Sequence, residues 1–326
     1  MPKDAARPSL HNRTTVRISM LRGLFAALDR LSPTLGGAVS ERLFFTPPPP
    51  RRSEGERMLR RARRFTVRAG RHRLAAWRWG SGPAIVMLHG WGGRAAQWTS
   101  FVAPLVRRGF AVVAFDAPGH GASSRAPSSA VDFARALEAV VEHVGGARAV
   151  VAHSLGSAAV ALALRGRLRC RRVVFLGPAA DPPSWVGSFA DRLGLSPRIV
   201  ERMRQRSERR LGVSWSELSI VRHASTLDTP LLVIHDRDDR EVAWSDGSAI
   251  AEAWPGARLF STTGLGHNRI LRDPATVSEA VGFLADDHAS RCPSCGALAA
   301  SGWCAVCVER ELFDPDLRRA AIAHQA

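Results

Sequence analysis

Hydrophobic positions change rhythm at Phe65. From there short apolar runs alternate with stretches of helical spacing. Residues 65–68, a turn at Ala69-Gly70 and residues 74–79 predict a β-hairpin. Further apolar runs at 84–88, 111–115, 147–151, 172–176, 231–234 and 257–260 are short enough for buried strands. Between them, residues 95–107, 131–144, 154–165, 246–254 and 274–285 predict helices. Buried strands alternating with helices imply an α/β fold: a mostly parallel sheet covered by helices on both faces. Ligands of such sheets bind at the carboxyl ends of the strands.

Two regions fall outside this rhythm. Some fifty residues, about 178–229, separate two strands where a crossover needs far fewer. They carry Pro182-Pro183, Trp185, Phe189 and Trp215, and predict a helical lid over the strand ends. Before Phe65, residues 1–13 predict no structure. Residues 14–31 predict an amphipathic helix with Leu21, Leu24, Phe25, Leu28 and Leu31 on one face. Packing of that face on the main domain is the expectation, ahead of a membrane surface. Pro47 to Pro50 end the segment, and 51–64 form a basic stretch. The expected divisions are therefore 1–64, a main domain at 65–286 and a C-terminal segment at 287–326.

Net charge is +17, and residues 1–73 hold 17 basic against 5 acidic side chains. All the basic residues but Lys3 are arginine, and tyrosine is absent, which suggests compositional bias. A basic arm could meet nucleic acid or anionic lipid, but no nucleic-acid fold motif accompanies it. No apolar run approaches about 18 residues. Met20 to Leu31 is broken by Arg22 and Asp29, which argues against a secretory leader and for a cytoplasmic protein.

Candidate chemistry gathers at the strand ends. In Ala152-His153-Ser154-Leu155-Gly156 a serine stands between small residues where a strand meets a helix. Such a turn is sharp and lifts the hydroxyl above the sheet. A serine nucleophile needs a base, an orienting acid and an oxyanion hole. The run at 231–234 leads into His235-Asp236-Arg237-Asp238-Asp239-Arg240-Glu241, which offers several carboxylates. Gly264-Leu265-Gly266-His267 follows the last strand and offers the base. His89-Gly90-Trp91-Gly92-Gly93 follows the first buried strand. Its Trp91 N–H and the Leu155 N–H are candidate oxyanion donors, worth about 3 kcal/mol each in a transition state.

Cys292-Pro293-Ser294-Cys295 and Cys304-Ala305-Val306-Cys307 form two C-x2-C pairs eight residues apart. Four thiolates at this spacing suit a tetrahedral Zn²⁺ with no open position, hence a structural ion. Disulfides would need an oxidising compartment. The segment resembles a small zinc ribbon.

Taken in order, the His89 turn, Phe115-Asp116-Ala117-Pro118-Gly119-His120-Gly121-Ala122-Ser123, the Ser154 turn, the 235–239 loop and Gly266-His267 resemble the ordered signatures of the α/β-hydrolase superfamily over residues 65–286. That resemblance implies Ser154 as nucleophile, His267 as base and Asp239 as acid, with His89 holding the oxyanion loop. It implies a small-molecule acyl substrate and no catalytic cofactor. Two positions depart from the family pattern: Ala152 and Asp236 stand where glycine is usual. Serine at the elbow leaves ester, thioester, amide and carbon–carbon hydrolysis open. The reading from another class is a catalytically idle hydrolase fold, a binding or adaptor protein that uses its basic arm and zinc ribbon.

Overall fold

The structure, a computed structural model, describes residues 10–49 and 55–285 and the backbone of 290–291 and 298–299; for 10–17 it describes backbone only. The described chain separates into two compact units, one of residues Met1–Thr46 with Pro183–Ser216 and one of Pro47–Pro182 with Glu217–Ala326.

The second unit is built on eight strands: β1 Arg63–Ala69, β2 His72–Trp79, β3 Ala84–Leu88, β4 Ala111–Phe115, β5 Ala149–His153, β6 Arg172–Leu176, β7 Leu231–Asp236 and β8 Arg258–Thr262. Their order across the sheet is β1-β2-β4-β3-β5-β6-β7-β8. The hairpin β1–β2 runs antiparallel, and β3 to β8 are parallel. β3 shows why both faces are covered. Ile85 and Met87 join one apolar core, Val86 and Leu88 the other, and all four are fully buried. Alternation of side chains along a strand sends neighbours to opposite faces, so a continuous apolar run demands a layer on each.

Three departures from the expected elements concern the strand ends. β5 runs two residues further than 147–151, which makes His153 its last residue and brings Ser154 directly after it. β7 and β8 extend to Asp236 and Thr262, which pair with each other. Polar residues enter the sheet there because the Thr262 hydroxyl donates to the Asp236 carboxylate at 2.6 Å. The helix expected at 95–107 begins as a 3₁₀ turn, Ala95–Trp98, before Thr99–Arg107.

The first unit joins segments far apart in sequence. Helices Leu10–Leu31 and Pro33–Phe44 pack with Trp185–Leu193 and Pro197–Leu211 of the insert. Phe25, Leu28, Leu193 and Ile199 form its buried centre. The compact units therefore do not follow divisions at 64/65 and 178–229. The N-terminal helix starts at Leu10, inside the stretch expected to lack structure. It packs on the insert helices, and only part of its apolar face is buried, because Leu24 and Leu31 remain exposed.

Two local features fix this packing. Helices Pro33–Phe44 and Pro197–Leu211 meet almost backbone to backbone: a Cβ on Gly37 would lie 2.6 Å from Arg202 Cβ and 2.9 Å from Met203 N. Glu41, buried beside that crossing, accepts from Arg206 Nε and Arg210 Nε, each at 2.6 Å. A buried carboxylate requires such partners. Ser196-Pro197 starts the second of these helices as its residue types favour, the Ser196 hydroxyl accepting from Ile199 N–H. That hydroxyl donates in turn to Asp29 at 2.5 Å.

Cys292, Cys295, Cys304 and Cys307 lie outside the described residues. The backbone flanking the first pair is described: Arg291 pairs with Leu298 and Ser290 with Ala299, antiparallel. Among the described residues no helix is long and apolar enough to cross a membrane.

Candidate active site

Ser154 is the one described residue other than glycine with a left-handed φ, 52° with ψ −124°. Side chains other than glycine's resist this conformation, and non-glycine residues held there mark functional sites. The strain follows from the local chain. β5 ends at His153 and helix Leu155–Arg165 starts at once, so one residue must reverse the direction. Hydrogen bonds on both sides hold it: Ser154 N–H donates to Leu176 O of β6, and its carbonyl accepts from Ser157 N–H. The hydroxyl does not cap the helix. Leu155 is the first helical residue, so its N–H is among those a helix leaves free at its start. Ala152, where glycine is usual, sits fully buried in the strand, opposite Phe175 and Leu88.

The loop after β3 abuts the serine. A Cβ on Gly90 would fall 2.8 Å from Ser154 Cβ, so only glycine allows this approach. Two buried histidines shape the loop. His120 Nε2 accepts from Gly92 N–H at 3.1 Å, which leaves the ring proton on Nδ1 to donate to Pro118 O. His89 Nε2 accepts from Ala117 N–H at 3.0 Å while Nδ1–H donates to Gly90 O at 2.7 Å. Both rings are thus neutral. Burial drives the same outcome, pushing His89 down to about 4 and His120 to about 3. Asp116 completes the support, its two oxygens accepting from Ala95 and Ala122 N–H, each at 2.7 Å. Burial raises its pKa, and those two N–H groups oppose the rise. Trp91 packs edge-on against His120, ring centroids 5.3 Å apart.

Of Asp236 at the end of β7 and the two aspartates that follow it, Asp239 is the one that reaches His267. Its Oδ2 accepts from His267 Nδ1 at 2.7 Å. Its Oδ1 accepts from Glu241 and Val242 N–H at 2.8 and 3.0 Å. Burial opposes ionisation of this carboxyl, yet hydrogen bonds from His235, His267 and Val242 outweigh it and hold its pKa well below the carboxylate range. Asp238 instead accepts from Gly264 N–H at 2.8 Å. Asp236 ties two loops together. It accepts from Asp238, Leu265 and Gly266 N–H at 3.0, 3.1 and 2.9 Å, besides the Thr262 hydroxyl. The residue before His267 is thereby fixed to the loop that carries Asp239.

His153 links this pair to the serine. Its Nε2 bonds the His267 carbonyl at 3.0 Å, and the two rings lie 4.5 Å apart. Burial lowers its pKa to about 3, with the nearby His267 acting in the same direction. Among the hydrogen bonds of the described residues, none joins Ser154 Oγ to the His267 ring. In unliganded sites that bond is often long and shortens when substrate arrives.

Several contributors were not identified from the sequence. His235, fully buried, lies 3.4 Å from Asp239 Oδ2 and bonds Val242 O at 3.2 Å through the same Nε2. Its signal was its place at the end of an apolar run. Pro47 and Pro48 lie against Gly119 and Gly92, next to the two loops just described. Nothing in a proline run names the glycines it will meet. Among the described residues no group of histidine, cysteine, aspartate and glutamate could hold a metal ion.

Parts of the chain are similar to known proteins, and its fold is similar to solved structures. Residues 83–211 match the family model described as the alpha/beta hydrolase fold. A non-heme haloperoxidase of Rhodococcus erythropolis is 35% identical over 132 residues, 39% of this chain and 47% of the relative. A pimeloyl-[acyl-carrier protein] methyl ester esterase of Nitrosomonas europaea is 35% identical over 108 residues, 33% of this chain and 40% of the relative. The chain thus spans less than half the length of these curated relatives. A solved bromoperoxidase from Bacillus anthracis superposes with a TM-score of 0.54 at 19% identity, covering 69% of this chain and all of that one.

Proposed function

Since this chain has an α/β-hydrolase fold, we propose that it is a serine hydrolase that cleaves a carboxylic ester or thioester through an acyl-enzyme. Ser154 is the nucleophile, His267 the base and Asp239 the acid. The observation that carries the reading is the strained Ser154 backbone beside a buried Asp239–His267 pair. The esterase among the relatives supports the choice of bond.

In this scheme His267 Nε2 takes the Ser154 proton as Oγ attacks the acyl carbon. Asp239 keeps the remaining imidazole proton on Nδ1 and stabilises the imidazolium. The Leu155 and Trp91 N–H groups receive the developing oxyanion. His267 then returns the proton to the departing alcohol or thiol. Water, activated by the same ring, releases the acid and restores Ser154. His89, His120 and Asp116 contribute by keeping the loop set before substrate arrives, which avoids reorganisation during the reaction. His235 holds Asp239 in place.

Short p-nitrophenyl esters and a fluorophosphonate probe test the reading together. Wild type should turn over the esters and label. Ser154→Ala should do neither while unfolding at an unchanged temperature. Undiminished turnover in that variant would falsify the assignment, and a wild type that neither labels nor turns over would favour the binding-protein reading.

A structural Zn²⁺ held by Cys292, Cys295, Cys304 and Cys307 belongs to the same proposal. The paired backbone at Arg291 and Leu298, flanking the first two cysteines, is compatible with it. The ion would fasten the C-terminal segment and take no part in the reaction. Elemental analysis should find one zinc per chain, lost in a Cys295→Ser/Cys307→Ser variant.

A further inference from the structure

Exposed large hydrophobic side chains are unevenly distributed. Seven occur among the described residues, and five of them, Met20, Leu24, Leu31, Leu35 and Leu43, stand on the two N-terminal helices. On Leu10–Leu31 the spacing of Met20, Leu24 and Leu31 puts them within about 40° of one another at 3.6 residues per turn. They stand beside the buried face of Phe25 and Leu28, so the helix is apolar over two adjoining faces and uses only one in its own unit. Met20 is 71% exposed and Leu31 83%, too much for side chains at the rim of a core. Clustered exposure of this kind marks a surface that meets something else.

Charge says what. The unit that carries these helices, residues 1–46 and 183–216, holds 14 basic and 6 acidic side chains, a net of +8. Its buried acid Glu41 is already matched by Arg206 and Arg210, and Asp29 by Arg198 and Ser196. Arg30 and Arg42, on the same two helices as the exposed leucines, are exposed and form no ion pair among the described residues. Protruding leucines interspersed with free arginines fit a partner that is anionic at its surface and apolar just beneath. A nucleic acid satisfies the first condition and gives the leucines nothing. A second copy of the chain satisfies the second and brings a like charge of +8.

We propose that the outward face of helices Leu10–Leu31 and Pro33–Phe44 docks on an anionic lipid surface. Met20, Leu24, Leu31 and Leu35 enter the boundary between headgroups and acyl chains, and Arg30 and Arg42 meet the phosphates. Such a helix lies in the plane of the membrane and does not cross it.

Flotation of the full-length protein with vesicles tests this directly. One set is phosphatidylcholine alone, the other phosphatidylcholine mixed with phosphatidylglycerol. Binding to the mixed vesicles should be at least roughly tenfold tighter, since each surface arginine contributes about a fivefold preference for anionic lipid. Added salt should weaken it. Leu24→Glu/Leu31→Glu, at sites exposed in the folded protein, should reduce it roughly tenfold or more without altering turnover of a soluble ester. Equal binding to both vesicle sets, no binding, or binding unchanged in the variant would overturn the proposal. So would light scattering that shows a dimer in wild type and a monomer in the variant, which would make the face a contact between copies. Salt-sensitive DNA binding that the variant retains, without vesicle binding, would overturn it as well.

Discussion

Asp236 accepts the N–H of Gly266 at 2.9 Å, and through that bond holds the backbone immediately before His267. Asp236→Asn keeps the size but replaces one acceptor oxygen with a donor facing other donors. Hydrogen bonds to charged groups contribute about 1.5–3 kcal/mol each, and a mispaired buried group costs more. The variant should lose about 2–4 kcal/mol of stability in urea titrations. Its kcat for an ester should fall about tenfold or more with KM little changed, because the base is displaced and the acyl pocket is not. A KM effect alone would show that the clamp does not position His267.

Backbone strain at Ser154 has a measurable cost. A non-glycine residue held in this region costs roughly 1–3 kcal/mol, and glycine escapes it. Ser154→Gly should therefore be catalytically dead yet about 1 kcal/mol more stable than wild type. A variant less stable than wild type would mean that the turn is not strained.

Acid should destabilise the fold well before the carboxylates titrate. His89, His120 and His153 have pKa values near 4, 3 and 3 when folded, against 6.5 in an unfolded chain. As pH falls below about 6.5 the unfolded chain takes up protons that the folded chain refuses, so stability is lost, at up to about 1.4 kcal/mol per pH unit for each histidine. The loss ends once pH has fallen past the folded values. Asp239, held low, extends it at more acidic pH, and Asp116, raised by burial, partly offsets it. Urea titrations near pH 7.5 and near pH 5 should differ by several kcal/mol. Equal stabilities would contradict neutral burial of these rings.

Gly37 predicts a packing effect away from the strand ends. Gly37→Val places a branched side chain where even a Cβ would lie 2.6 Å from Arg202. The helices must separate, at a cost of about 1–3 kcal/mol or more. Hydrogen exchange should speed up in Pro33–Phe44 and Pro197–Leu211, and unchanged protection there would refute the close crossing.

How much of this was legible in the sequence depended on how local each signal was. β3, β4 and β6 fall on the expected residues because an uninterrupted apolar run ends where burial ends. Ser154, His267 and the glycine-rich turn at Trp91 were visible as strand-end residues for the same reason. Asp236 was visible as one of several carboxylates, but its clamp was not, because its acceptors serve N–H groups up to thirty residues away and no run of letters shows which loop a carboxylate will tie. His235 looked like the end of a strand and nothing more. The insert showed helical spacing but not its partner. Ile199 and Phe25 each ask only for apolar company, and their meeting is written in no short stretch.

That meeting sets a timetable for synthesis. Phe25 and Leu28 share their core with Leu193 and Ile199. At roughly 5–20 residues per second, the ribosome takes on the order of 10–30 s after making the first pair to deliver the second. During that interval the N-terminal helices emerge with their apolar sides uncovered while the first six of the eight strands are being made behind them. A chaperone or a nearby surface has its best opportunity to engage the nascent chain in that interval. A truncation that removes Phe25 and Leu28 would leave the insert helices facing the same exposure permanently.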